Sequence, residues 1–113
     1  MEPILTLVEL SQSIATEEAL LVYFSHEQCN VCKVLKPKIE ALISGYYKKI
    51  GMLYCNTINN PEIAAQHSIF VVPSIIIWFE GKETFRFSRN IGVGEFESAI
   101  KRPYQMLFNK EKL

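Results

Sequence analysis

The chain is short of several things at once. It has no surplus of either charge: Lys and Arg together number 12, and so do Asp and Glu, in 113 residues. That balance argues against an electrostatic grip on nucleic acid or on an anionic membrane surface. No apolar run approaches the roughly 20 residues that a membrane span needs. The opening segment, Met1-Glu2-Pro3-Ile4-Leu5-Thr6, lacks both the basic start and the long apolar core of a signal peptide. Cysteine is scarce. Its 3 copies are an odd number and too few for the disulfide framework of a small secreted scaffold. The expected setting is therefore the cytoplasm, with cysteines that stay reduced or cycle. No internal repeat, linker or low-complexity stretch is visible, and the length suits one domain over residues 1–113.

What is present is a globular composition, 49% hydrophobic and 21% charged, able to bury a real core. Two of the cysteines stand together in Cys29-Asn30-Val31-Cys32. The pair follows the apolar run Leu20-Leu21-Val22-Tyr23-Phe24 and precedes a helical pattern. The first turn of a helix offers unpaired N–H groups and a partial positive charge. A thiol placed there is stabilised as thiolate, the nucleophilic form, and such thiols titrate at about 3.5–7.5 instead of about 8.5. The second cysteine, three residues on, shares that helix face and can close a disulfide onto the first. Lys33 and Lys36 add modest positive potential. His26, three residues before Cys29, could assist proton transfer, and Glu27 could handle protons through water; as plain loop residues both are simply solvated. Zinc sites use the same CxxC spacing. A Cys29/Cys32/Cys55/His26 set has the ligand count, but Cys55 lies in an apolar segment and reads as a buried hydrophobe. Redox pair, metal ligands and inert thiols all remain open on these residues alone.

Helix and strand patterns alternate along the chain. Ile4 to Thr6 is expected as a short edge strand. Leu7, Leu10 and Ile14 have helical spacing, which predicts a helix to about Thr16. Leu20 to Ser25 has the length and continuous apolarity of a strand buried on both faces. After the cysteines, apolar residues at Val31, Val34/Leu35, Ile39, Leu42/Ile43 and Tyr46/Tyr47 predict a long amphipathic helix, with Lys33, Lys36, Lys38 and Glu40 on its wet side. Ile50 to Asn56 is a second central strand. Asn60 is the expected cap and Pro61 the first residue of a short helix ending near His67. Val71 to Phe79 reads as a strand with Pro73 near its start, and Trp78 reads as core. Glu80-Gly81 is a turn into the alternating strand Lys82 to Ser88. Gly92 and Gly94 break the chain before a final helix, Glu95 to Phe108, that Pro103 should kink or shorten. The parallel part of such an order requires right-handed crossovers. The expected fold class is α/β, a central mixed sheet with helices on both faces.

With these features in order, the chain resembles the thioredoxin family over nearly its whole length. The match rests on Cys29 and Cys32 at a strand-to-helix junction, Pro37 five residues after the second cysteine, and Pro73 about forty residues downstream. Gly81, Gly92 and Asn60-Pro61 add to it. The resemblance implies the thioredoxin fold and reduction of protein disulfides through the Cys29/Cys32 dithiol, with no cofactor. By resemblance Cys29 attacks the substrate disulfide and Cys32 resolves the mixed disulfide. Pro73 is expected to be cis, and Val72 to hydrogen-bond an extended substrate peptide through its main chain. The implied partners are disulfide-containing proteins and a recycling reductant such as a thioredoxin reductase. The sequence also departs from the family. Gln28 stands where a tryptophan is usual, and Asn30-Val31 replaces Gly-Pro. Tyr23 replaces a buried aspartate thought to move a proton for the second cysteine, and Tyr54 stands for its partner lysine. These departures support an alternative, a non-catalytic or redox-sensing module of the same fold that binds a partner peptide beside Pro73.

Overall fold

The computed structural model describes residues 1–4 and 6–108. In chain order the elements are β1 (Glu2–Pro3), α1 (Leu7–Thr16), β2 (Ala19–Ser25), α2 (Asn30–Tyr46), β3 (Gly51–Asn56), α3 (Pro61–Gln66), β4 (Ser74–Phe79), β5 (Lys82–Ser88) and α4 (Val93–Phe108). The strands form one mixed sheet in the order β1-β3-β2-β4-β5. The β1, β3 and β2 strands run parallel, whereas β4 is antiparallel to β2 and β5 antiparallel to β4. This is the mixed α/β architecture the alternating pattern predicts.

Alternation along β2 divides the core in two, because successive side chains of a strand point to opposite faces. Leu21 and Tyr23, with Ile75 and Ile77 of β4, pack with Cys32, Leu35, Ile39 and Ile43 of α2 and with Phe96 and Ile100 of α4. Leu20, Val22 and Phe24, with Ile76 and Trp78, pack with Leu10 of α1 and with Ile63 and Ala64 of α3. All seven residues of β2 are buried. That double coverage explains why this segment is a continuous apolar run instead of an alternating one.

Several boundaries differ from expectation for local reasons. The edge strand is Glu2–Pro3, earlier than the expected Ile4 to Thr6. Thr6 is taken up as the N-cap of α1, its hydroxyl accepting from the Glu9 N–H at 3.1 Å; Leu5 lies outside the described residues. β4 begins at Ser74, so Val71, Val72 and Pro73 lie before the strand. Pro73 has no N–H to give a ladder, and its carbonyl instead accepts from Arg89 N–H at 2.8 Å. Asn60 precedes α3 but makes no side-chain cap; its Nδ2 donates to the Asn56 carbonyl at 3.1 Å. α4 starts at Val93, two residues earlier than predicted. Its first turn includes Gly94, and Phe96 N–H donates to the Gly92 carbonyl. The helix continues through Pro103 to Phe108. The Glu80-Gly81 turn joins Phe79 to Lys82, and both of its residues have positive φ, as a two-residue type I′ hairpin turn requires.

Candidate active site

The site is built where β2 ends. Ser25 closes the strand, His26, Glu27 and Gln28 turn, and α2 starts at Asn30 with Cys29 as its N-cap. The turn is tied by Cys29 N–H donating to the His26 carbonyl at 3.2 Å. Cys29 Sγ does the capping that an oxygen does in most helices, accepting from Cys32 N–H at 3.2 Å. Cys29 and Cys32 form a disulfide with their Cα atoms 5.3 Å apart. Cys29 is half-buried, whereas Cys32 is only 2% exposed. One sulfur therefore faces outward at a helix N-terminus and the other sits behind it, packed against the core.

The floor of the site is aromatic. Tyr23 and Tyr54 are register partners on β2 and β3. Tyr23 is fully buried, and its hydroxyl donates to the Cys32 carbonyl at 2.9 Å. Burial first, and the neighbouring Tyr54 second, push its phenol well above the usual tyrosine range. Tyr54 is also raised, chiefly by burial, with a hydrogen bond to Ser25 acting in the opposite sense. Lys36 holds its ammonium 5.2 Å from the Tyr54 ring centre and 4.0 Å from Glu40 Oε1.

The remaining residues singled out in the sequence divide. The Val72–Pro73 peptide bond is cis; Pro73 is buried and Val72 half-buried. The imidazole of His26 shares a small cavity of about 120 Å³ with Thr57, Ile69, Phe70, Val71 and Val72. Its Nδ1 is buried and makes no hydrogen bond among the described residues. Glu27 and Lys33 are exposed. Cys55 is a free thiol, fully buried in β3, and burial pushes its pKa up to about 11. No group of three or more His, Cys, Asp or Glu among the described residues is arranged to hold a metal ion.

Two features escaped the sequence reading. Val31 and Val34, counted on the apolar stripe of α2, are 61% and 60% exposed, and Tyr46 is 76% exposed. The buried stripe is Cys32, Leu35, Ile39 and Ile43 alone. Val31 and Val34 instead line a cavity of about 670 Å³ with Ile91 and Gly92 of the β5–α4 connection. Phe70 stands 86% exposed just ahead of Val72. The signal for the valines was a stripe wider than one core face needs, which marks a second use for part of it.

An outward sulfur at a helix N-terminus, bonded to an inward one on an α/β sheet, defines a dithiol–disulfide exchange protein. The thioredoxin family model matches residues 3–102. The thioredoxin of Chlamydia trachomatis is 32% identical over 91 residues, 80% of this chain and 84% of that one. The thioredoxin-like protein YdfQ of Bacillus subtilis is 25% identical over 101 residues, 89% of each chain. Among solved structures, Fasciola hepatica thioredoxin superposes with a TM-score of 0.78 at 25% identity, covering 89% of this chain and 98% of that one. Oxidised mitochondrial thioredoxin 3 of Saccharomyces cerevisiae has the same fold, with a TM-score of 0.81 at 18% identity over 89% of this chain and 94% of that one. The chain belongs to the thioredoxin family. It is a thiol–disulfide oxidoreductase with Cys29 and Cys32 as its redox pair.

Proposed function

We propose that this protein reduces protein disulfides in the cytoplasm, with Cys29 as attacking sulfur, Cys32 as resolving sulfur and a thioredoxin reductase as the recycling partner. The unequal burial of the two sulfurs carries the assignment of roles: an attacking thiolate must reach a substrate, and a resolving one need reach only its neighbour. In the reducing direction the Cys29 thiolate attacks one substrate sulfur. The substrate S–S bond breaks, and the other substrate sulfur leaves with the electron pair. Cys32, deprotonated, then attacks Cys29 and expels the second substrate sulfur as thiolate. The substrate gains two electrons and the pair loses two. Val72, beside the buried Pro73, is read as the main-chain contact for an extended substrate segment. The scarcity of cysteine supports the cytoplasmic setting. His26 and Glu27 are read as auxiliary groups near the turn, and Lys33 as a source of positive potential.

The test is the reduction potential of the Cys29–Cys32 couple, measured by equilibration with glutathione and dithiothreitol buffers and thiol counting. A two-electron couple near about −270 mV supports a reductase. A far more oxidising value shifts the reading to an oxidant or sensor, and failure of the pair to form a disulfide leaves only a peptide-binding module.

A further inference from the structure

Cys29 and Cys32 are held by different parts of the molecule. The Cys29 backbone is tied to the exposed turn through the His26 carbonyl. The Cys32 backbone is tied to the middle of the sheet, because its carbonyl accepts from the buried Tyr23 hydroxyl at 2.9 Å. Tyr23 sits in β2, which is laddered to β3 on one side and to β4 on the other. Its neighbour across the parallel ladder, Tyr54, adds no carboxylate to the floor. The helix itself satisfies the Cys32 carbonyl through the N–H four residues on, at Lys36, so the tyrosine bond is an addition to α2 and not a requirement for forming it.

We propose that Tyr23 is a positioning residue for the release step: its hydroxyl fixes the Cys32 main chain so that Cys32 Sγ stays aimed at Cys29 Sγ while the substrate is still attached. This role rests on the assignment of Cys29 as attacking and Cys32 as resolving sulfur. In that step Cys32 loses its proton to solvent and forms a bond to Cys29 Sγ. The Cys29–substrate bond breaks, and the substrate sulfur leaves with the electron pair and takes a proton from solvent. Exchange needs the attacking sulfur in line with the bond it breaks. Alignment of this kind is sensitive: a displacement of about 1 Å costs about a hundredfold in rate. With its phenol raised by burial, Tyr23 stays protonated near neutral pH. It acts as a donor through the main chain and not as a base toward the thiol.

The test separates attack from release. Reduced protein is mixed in a stopped-flow instrument with 5,5′-dithiobis(2-nitrobenzoate). Attack by Cys29 liberates the first equivalent of coloured thiolate, and attack by Cys32 on the mixed disulfide liberates the second. Tyr23→Phe keeps the ring volume and leaves the Cys32 carbonyl bonded within the helix, so the fold is retained. The expected result is a first equivalent within about twofold of wild type and a second slowed by about ten- to a hundredfold. Tyr47→Phe, which also removes a buried hydroxyl but one bonded to Glu97, leaves both phases unchanged. The proposal is overturned if Tyr23→Phe releases the second equivalent at the wild-type rate, if both of its phases slow by one common factor, or if Tyr47→Phe slows release equally. A wild type that never yields the second equivalent overturns the dithiol assignment itself, and this role with it.

Discussion

The N–H of Cys32 points at Sγ of Cys29 across 3.2 Å, so the residue that carries the chemistry is also the cap of the helix that presents it. Capping and reactivity share a cause. Free N–H groups at a helix start favour negative charge, whether on a capping oxygen or on a thiolate. The two functions can be separated by substitution. Cys29→Ser keeps a capping atom and removes the sulfur; Cys29→Ala removes both. Both variants should lose disulfide reduction by on the order of a thousandfold or more. Reduced wild type and Cys29→Ser should have similar stability, with Cys29→Ala lower by about 0.5–2 kcal/mol. Urea unfolding in the presence of reductant checks this. Equal stability of the Ser and Ala variants means that the sulfur does not cap.

Burial predicts an order of reactivity among the three cysteines. Cys29 is half-buried at a helix N-terminus, Cys32 is enclosed, and Cys55 is fully buried with its thiol pushed up to about 11. Near pH 8 about one Cys55 thiol in a thousand is ionised, and none is accessible without local opening. Iodoacetamide should therefore label Cys29 first and Cys55 only after denaturant is added. Peptide mass mapping of a time course reads the order directly. Early labelling of Cys55 would show that β3 opens readily in the native state.

The exposed valines of α2 should govern which substrates are accepted. Val34 borders the cavity that runs from Val31, between the two cysteines, to Ile91 and Gly92. Val34→Asp puts a charge on that rim at a side chain that is mostly exposed, so stability should move by no more than about 0.5 kcal/mol. The KM for a protein disulfide such as insulin should rise several-fold, while the rate with a small aromatic disulfide stays near wild type. Equal losses on both substrates would assign the effect to the cysteine pair and not to the rim.

Much of the molecule was legible in the sequence because its signals were local. The Leu20–Phe24 run, the cysteine pair, Pro61 and the Glu80-Gly81 turn each specify their structure within a few residues. What escaped depends on tertiary placement. Helical spacing put Val31, Val34, Leu35 and Ile39 on one broad stripe, but only the Cys32–Leu35–Ile39–Ile43 line meets the sheet. The Val71-Val72-Pro73 apolarity looked like strand, yet the ladder starts after the proline because an imino nitrogen cannot donate. Tyr23 was visible as a departure from the family pattern. Its partner, a carbonyl nine residues later, could not be seen, because it depends on how α2 packs across β2.

The buried acids set an alkaline limit to stability. Tyr47 donates to Glu97 Oε2 at 2.9 Å, and its pKa is pushed from 10.0 up to about 12, first by burial and then by that carboxylate. Cys55 moves from 9.0 up to about 11 through burial, and Tyr23 and Tyr54 move in the same direction. All four are favoured neutral in the folded state. A group whose folded pKa is raised contributes stability that is complete below its unfolded value and is lost as pH rises through the folded one. The native state should thus hold its stability up to about pH 9 and weaken between about pH 9 and 12, each fully engaged group adding up to about 1.4 kcal/mol per pH unit. Tyr47→Phe separates one contribution from the rest. Near neutral pH it should cost about 1 kcal/mol through the lost hydrogen bond. Between about pH 10 and 12 its stability should fall less steeply than wild type, so the two curves converge. Urea midpoints for both proteins at a series of alkaline pH values measure this, and parallel curves would show that the Tyr47 phenol does not titrate with unfolding.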